Sequence, residues 1–348
     1  MTDFLRHTPE LASYWRAIIL FGRNSASYKF ALAKALFDLA EEGKTVATLS
    51  EVAIPYSRHL RDHLQREDRQ GIAPSSTFLD ACRAFNNDEI GKQELVDRTV
   101  QLGFNNVLDA FHVVGGDKVK PRFFEEVGGK KIMLTDNLFE LQERAQPESL
   151  RQEVEARWRL VETAWGLDIK PRLLEVHRDA DSNQLYVHRS DRRRTNITSS
   201  RDALNGYQKG RCFYCFREIT VGDEQNEGVS LAPQAEVDHF FPKALASHLD
   251  GANLDGVWNL VLSCPQCNRG TGGKMDRIPE PKYLSRLERR NNYLIESHHP
   301  LKETLKRQTG NTEKQRRDFL TDIDHTAINY AIHRWEPEEE YGDGFEHT

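Results

Sequence analysis

Apolar residues in the first half of the chain recur every three or four positions, which is the repeat of amphipathic helices. The firmest case spans residues 25–43, where apolar residues share one face, charged residues take the other, and Gly43 is a stop signal. Similar patterns predict helices over 9–22, from Pro55 to about Glu67, after a cap at Ser75 or Ser76, over 94–113, and from Pro147 to Gly166. Residues 1–166 are therefore predicted to form an α-helical domain.

The pattern changes in the second half. Residues 172–177 and 185–188 are strand-like and flank a turn-forming segment, which predicts a hairpin; 131–135 predicts one short strand in the first half. Further helices are expected after Thr198-Ser199-Ser200, after Pro281 and after Thr312. The expected fold is mainly α with a small α+β part. The predicted domains are 1–166, a hairpin and basic connector at 167–200, a cysteine-containing domain at 201–281, C-terminal helices at 282–335, and an acidic, solvated tail at 336–348.

Composition adds limits to this picture. The chain of 348 residues is long enough for two domains, each with its own core. No apolar run reaches transmembrane length and Met1–Phe4 opens no signal-peptide pattern, so a cytoplasmic protein without a membrane partner is expected. The sequence makes no prediction about oligomeric state.

Charge is distributed unevenly although the net charge is −6. Residues 189–217 hold eight basic residues against two acidic ones, and residues 269–290 hold seven against three. Such clusters suit contacts with nucleic-acid phosphates. Two solvated faces remain the alternative interpretation.

Four of the five cysteines form two Cys-x-x-Cys pairs, Cys212/Cys215 and Cys264/Cys267. Four thiolates in this arrangement match the tetrahedral ligand set of a structural Zn²⁺ site. A redox or iron–sulfur site is the alternative. Cys82 is left over and is predicted to be a buried apolar residue.

Residues suited to acid–base and hard-metal chemistry lie between and beside these pairs. The imidazole of His239 titrates near neutral pH and can accept a proton from water. Asp238 and Asn268 offer oxygen ligands for Mg²⁺. In a regular strand Asp238 and His239 would face opposite ways, so a shared site would need the strand to bend, which Pro242 makes plausible.

The order Asp238-His239-x-x-Pro242, then Trp258-Asn259-Leu260, then Cys264-x-x-Cys267-Asn268 resembles the zinc-stapled HNH endonucleases of the ββα-metal type. The resemblance covers about a fifth of the chain. Asn268 stands at the third position of the motif, which makes this an HNN variant.

The resemblance implies a metal-dependent endonuclease that nicks or cuts DNA. It implies that His239 is the general base, that Asp238 and Asn268 hold a catalytic Mg²⁺ or Mn²⁺, and that Asn259 fixes the loop that orients the histidine. Zinc would then be structural only. The predicted DNA contacts are Arg211, Lys243, Arg269 and Lys274.

Several alternatives stay open. The cysteine domain could be a zinc-stapled nucleic-acid-binding module without catalysis. A fusion of helical and HNH-like parts resembles bacterial nucleases that defend against phage or foreign DNA, and a mobile-element nuclease is the other candidate. Residues 1–166 either target or gate the nuclease, through a protein partner or a DNA structure, or act as a scaffold.

Within residues 1–166, His59 and His63 share a helix face. We interpret them as packing residues rather than metal ligands, and we interpret His112 in the same way.

Overall fold

The computed structural model describes residues 11–21, 25–73, 75–114, 116–144, 147–167, 176–179, 181–188, 194–221, 232–249, 251–296, 301–331 and 333–341. The fold is mainly α-helical with small sheets, as predicted. Among these residues, no helix has the length and apolar character needed to span a membrane. The chain divides into two compact units, Met1–Ile169 (unit 1) and Lys170–His347 (unit 2).

Unit 1 consists of eight helices and five short strands within its described part. The helices are α1 (Leu11–Phe21), α2 (Tyr28–Glu41), α3 (Leu49–Leu64), α4 (Thr77–Asn86), α5 (Lys92–Arg98), α6 (Val107–Phe111), α7 (Asp136–Arg144) and α8 (Pro147–Gly166). The strands are β1 (Val46–Thr48), β2 (Val113–Val114), β3 (Asp117–Lys118), β4 (Phe124–Val127) and β5 (Lys131–Leu134). The predicted strand at 131–135 is confirmed as β5, the centre of an antiparallel β1-β5-β4 sheet.

Helix α2 is the centre of the unit 1 core. Ten of its fourteen residues are buried, and it packs against α3 and α8. Trp15 from α1 contacts Phe37 of α2 with ring centroids 4.5 Å apart, and Phe123 packs edge-on against Trp15 at 5.1 Å. A helix that is apolar on nearly all sides belongs in a core.

The predicted start of the third helix is wrong. Helix α3 begins at Leu49 rather than Pro55, because Thr48 and Glu51 form a reciprocal capping box. Pro55 lies inside the helix, where it donates no backbone hydrogen bond. The Thr48-x-x-Glu51 pattern is a sequence signal for this start.

The single helix expected over 94–113 is also wrong. Helix α5 ends at Arg98, a π-helical turn follows over Thr99–Gly103, and α6 begins at Val107. The Tyr56 hydroxyl donates to the Gly103 carbonyl (3.0 Å), and a Cβ at position 103 would lie only 3.0 Å from the Phe78 ring. A side chain at position 103 would press on the Phe78 and Tyr56 rings, which favours glycine at the end of the π-helical turn.

Unit 2 contains the predicted hairpin and the cysteine-containing domain, residues 201–281. Its strands are β6 (His177–Arg178), β7 (Gln184–His188), β8 (Arg194–Ser199), β9 (Glu236–His239), β10 (Leu260–Ser263), β11 (Ile278–Pro279) and β12 (Arg334–Trp335). Its helices are α9 (Ser200–Gln208), α10 (Pro265–Arg269), α11 (Pro281–Glu296), α12 (Lys302–Thr309) and α13 (Glu313–Ile328). The predicted hairpin is present as β6–β7, with β8 as a third antiparallel strand; its expected residues 172–175 lie outside the described part of the chain.

Two buried arginines of α11 donate hydrogen bonds to backbone carbonyls of the cysteine-containing domain. Arg286 Nη1 donates to the Phe213 (2.6 Å) and Tyr214 (3.0 Å) carbonyls. Arg290 donates to the carbonyls of Val257, Trp258 and Leu260. The sequence boundary at 281 therefore does not separate compact bodies, since both sides belong to unit 2.

The acidic segment after Trp335 is not simply solvated over its described residues. Glu340 accepts a hydrogen bond from the Tyr283 hydroxyl (2.6 Å) and pairs with Lys282 (2.8 Å). The Tyr341 amide donates to the Cys215 carbonyl (2.6 Å). Residues 342–348 of the predicted tail lie outside the described residues. Lysine and aromatic partners on α11 explain why this segment folds back.

Candidate active site and metal centre

The two cysteine pairs meet in unit 2. All four side chains are buried, and their Sγ atoms lie within 4.8 Å of one another, with Cys215 Sγ and Cys264 Sγ 3.8 Å apart. Zn–S distances of about 2.3 Å in a tetrahedron give sulfur–sulfur distances of about 3.8 Å. The predicted cysteine cluster is confirmed, and it fits a structural zinc ion. Cys82 lies elsewhere, in unit 1, where burial raises its pKa to about 12.

Backbone hydrogen bonds connect the cysteine cluster to β10 and α10. Cys264 caps α10, its Sγ accepting from the Cys267 amide at 3.4 Å, and Pro265 is the first helical residue. The Phe213 amide donates to the Leu262 carbonyl (2.8 Å), which ties the first pair to β10. A metal at the cluster would therefore stabilise the strand and the helix together.

Strands β9 and β10 pair antiparallel and are followed by α10. The register is regular, with Asp238 opposite Val261 and His239 opposite Leu260. Adjacent residues of a regular strand face opposite sides. The bend that would bring Asp238 and His239 to one site is therefore absent from β9.

The Asp238 carboxylate is buried, and each of its two oxygens already has a partner. It is 6% exposed; its Oδ2 accepts from the Tyr214 hydroxyl (2.7 Å) and its Oδ1 lies 3.3 Å from Lys274 Nζ. Burial raises the pKa of Asp238 although Lys274 and Tyr214 oppose it, and burial lowers the pKa of Lys274. Lys274 is fully buried, so it does not occupy the surface position expected of a DNA contact.

Asn268 pairs with Glu236, a carboxylate that was not predicted from the sequence. Its Nδ2 donates to Glu236 Oε2 (2.8 Å), while Arg269 Nε donates to Glu236 Oε1 (2.7 Å). Glu236 precedes Asp238 by two residues and shares its face of β9. The Glu-x-Asp alternation in the strand was the signal that could have identified it.

His239 belongs to a different cluster. Its Nε2 lies 2.9 Å from Asp255 Oδ1 and 3.2 Å from Arg178 Nη1. Lys243 Nζ contacts the same Asp255 oxygen at 2.8 Å. Burial lowers the pKa of His239, with Asp255 opposing the shift, so the imidazole is neutral at neutral pH and can accept a proton.

Asn259 is fully buried and joins two loops. Its Oδ1 accepts from the Phe241 amide (2.8 Å), and its Nδ2 donates to the Phe241 and Leu254 carbonyls (both 2.9 Å). Phe241 lies two residues after His239, and Leu254 directly precedes Asp255. The side chain thus fixes the backbone on both sides of the His239–Asp255 contact.

The basic residues divide into exposed and buried groups. Arg269 (74% side-chain exposure) and Lys243 (48%) are accessible, and Arg211 is partly buried. Within the basic cluster at 269–290, however, Lys274, Arg286 and Arg290 are buried. This cluster therefore presents less positive charge to solvent than its composition indicates.

Comparison of the chain with protein-family models, with curated proteins and with solved structures gave no match.

Proposed function

We propose that this chain is a metal-dependent endonuclease of the HNH type that hydrolyses phosphodiester bonds of DNA. The observation that carries the proposal is the placement of His239 at the end of β9, in a strand–strand–helix segment whose helix begins at a four-cysteine cluster. This agrees with the spacing of the sequence motif, and the neutral, partly accessible imidazole has the chemistry of a general base.

In this proposal His239 takes the proton of the attacking water. Asn259 keeps the backbone beside His239 fixed through three hydrogen bonds. The exposed side chains of Lys243 and Arg269 are the proposed phosphate contacts, since each reaches solvent beside the site.

The proposed cation would be held by Asp238 and Asn268, together with Glu236, whose carboxylate contacts Asn268 and shares a face of β9 with Asp238. Their carboxylate and amide oxygens suit Mg²⁺ or Mn²⁺, and both carboxylates of β9 contact the segment 268–274. Asp238 Oδ1 already faces the buried Lys274 ammonium, so a cation at Asp238 would have to take the place of that ammonium. When bound, such an ion neutralises developing charge on the phosphate.

One observation favours a second candidate, a zinc-stapled nucleic-acid-binding module without catalysis. Asp238 is buried and paired with Lys274, and it faces away from His239. A binding module needs no hydrolytic arrangement, so these contacts would then be purely structural.

Incubation of the zinc-loaded full-length protein with supercoiled plasmid separates the two candidates. The nuclease should produce nicked or linear DNA with Mg²⁺ or Mn²⁺ and none when divalent cations are omitted. Parallel reactions with single-stranded DNA and RNA define the substrate class. DNA binding without cleavage under all of these conditions would support the binding module and contradict the nuclease.

A further inference from the structure

Asp255 makes three contacts with donor groups through one carboxylate oxygen. Its Oδ1 lies 2.9 Å from His239 Nε2, 2.8 Å from Lys243 Nζ and 3.3 Å from Arg178 Nη1. An ionised carboxylate only accepts hydrogen bonds, so Nε2 carries a proton when it bonds to Asp255. The neutral imidazole then has its free electron pair on Nδ1.

The contact with Arg178 does not reverse this assignment. Arg178 Nη1 could donate to an unprotonated Nε2 at 3.2 Å, but the Nε2–Asp255 contact is shorter, at 2.9 Å, and an ionised Asp255 has no proton to donate to Nε2. The guanidinium also has the Asp255 oxygen as an acceptor. Within the described residues, Nδ1 of His239 takes part in no hydrogen bond, so it is the nitrogen left for an outside partner.

Asp255 is held in place by residues from two separate segments. Lys243 follows β9, whereas Arg178 comes from β6, where its Nε and Nη2 donate to Asn183 Oδ1 at 3.1 and 2.8 Å. Arg178 is 5% exposed, so this anchor is shielded from solvent. Partial burial raises the pKa of Asp255, but the hydrogen bonds from Lys243 and His239 outweigh it and lower the pKa, which keeps the carboxylate ionised.

We propose that Asp255, backed by Arg178 and Lys243, is a positioning residue that holds His239 in the Nε2–H tautomer and assigns Nδ1 as the proton-accepting nitrogen. This rests on the proposed nuclease function. In the hydrolytic step an O–H bond of water breaks and its proton goes to Nδ1. The water oxygen bonds to phosphorus, the bond from phosphorus to the departing sugar oxygen breaks, and that oxygen takes a proton from solvent.

The tautomer can be measured without any activity. Long-range ¹H–¹⁵N correlation spectra of full-length protein labelled on histidine, at about pH 8 where an ordinary histidine is neutral, distinguish a protonated from an unprotonated ring nitrogen. His239→Ala identifies the resonances. We expect a protonated Nε2 and an unprotonated Nδ1. The reverse pattern would overturn the proposal whether or not the protein cleaves DNA.

Variants of Asp255 test its role. Asp255→Asn should shift His239 to a mixture of tautomers and lower kcat for plasmid cleavage by on the order of 10²-fold with little change in KM, whereas Asp255→Glu should restore part of the loss. Asp318→Asn, an exposed change on α13, is the matched control and should alter neither measurement. Unchanged tautomer and kcat in Asp255→Asn would overturn the positioning role. If the wild-type protein cleaves nothing, the assignment of Nδ1 as a base falls with the proposed function, while the spectra still decide the tautomer.

Discussion

At the scale of single residues, two contacts of the candidate site join residues that are distant in the chain, Asp238 with Lys274 and His239 with Asp255. His239, Asp238 and the four cysteines stand in a recognisable local order, which is why they were predicted. Asp255 and Arg178 lie 16 and 61 residues from His239, and no periodic or motif pattern connects them. Only the folded chain brings these groups together, and it alone shows that Asp238 is neutralised by a buried lysine.

The buried Asp238–Lys274 pair leads to a prediction about stability. Lys274→Met leaves a buried carboxylate without its counter-charge, so it should lower the free energy of unfolding by about 3–5 kcal/mol. Urea denaturation followed by circular dichroism measures this. Lys282→Met, at an exposed ion pair, is the control and should cost less than about 1 kcal/mol. The Asp238→Asn/Lys274→Met double variant should regain part of the stability that Lys274→Met loses. If Lys274→Met and Lys282→Met lose the same free energy of unfolding, the buried pair does not stabilise the fold.

His63 in unit 1 makes stability depend on pH. Burial lowers its pKa, but hydrogen bonds with Glu155 and Glu162 outweigh burial and raise the pKa above the ordinary value. The contribution of His63 to folding stability should therefore be complete below about pH 6.5, its pKa in the unfolded chain. It should disappear as the pH rises through the higher pKa of the folded state. The melting temperatures of wild type and His63→Gln should differ more at about pH 6 than at about pH 9. A difference that grows with pH would contradict this sign.

At the scale of elements, most helices were predicted from periodicity, and the errors have local causes. The capping box at Thr48 and Glu51 sets the start of α3, and a π-helical turn that ends at Gly103, beside the Phe78 and Tyr56 rings, interrupts the helix expected over 94–113. The helix predicted after Thr312 is present as α13, and a capping box formed by Thr312 and Gln315 marks its start. The strand β8 escaped prediction because its partner β7, rather than its own pattern, defines it.

The Asn259 side chain should control the geometry of the β9–β10 connection. Asn259→Ala removes three buried hydrogen bonds and leaves one amide and two carbonyls unsatisfied, so it should lower the free energy of unfolding by on the order of 3 kcal/mol. Asn329→Ala, at an exposed position after α13, is the control. Denaturation curves that coincide for the two variants would show that Asn259 does not brace this connection.

At the scale of the whole molecule, the chain has two compact units, and the candidate chemistry lies in unit 2. Zinc should supply part of the stability there, because the cysteine cluster links segments about fifty residues apart in a region of short strands. Unit 1 contains a dense core but gave no sequence motif for function. The proposed targeting or gating role of unit 1 can therefore be tested separately from the proposed cleavage by unit 2.

A fragment comprising residues 170–348 tests that separation. We expect it to be folded, to bind about one zinc ion per chain by the four-ligand rule, and to cleave plasmid at least as readily as the full chain. Elemental analysis and the plasmid assay measure both properties. A fragment that precipitates or lacks zinc, while the full chain holds it, would identify unit 1 as a structural brace and remove the gating hypothesis.

The rate of plasmid cleavage by His239→Ala tests the central claim most directly. The variant removes the proposed base and no cysteine ligand, so zinc content and the far-ultraviolet spectrum should match the wild type. We predict a loss of about 10²–10⁴-fold in the Mg²⁺-dependent cleavage rate. Cleavage at the wild-type rate by a folded, zinc-containing His239→Ala protein would contradict the assignment of His239 as the catalytic base.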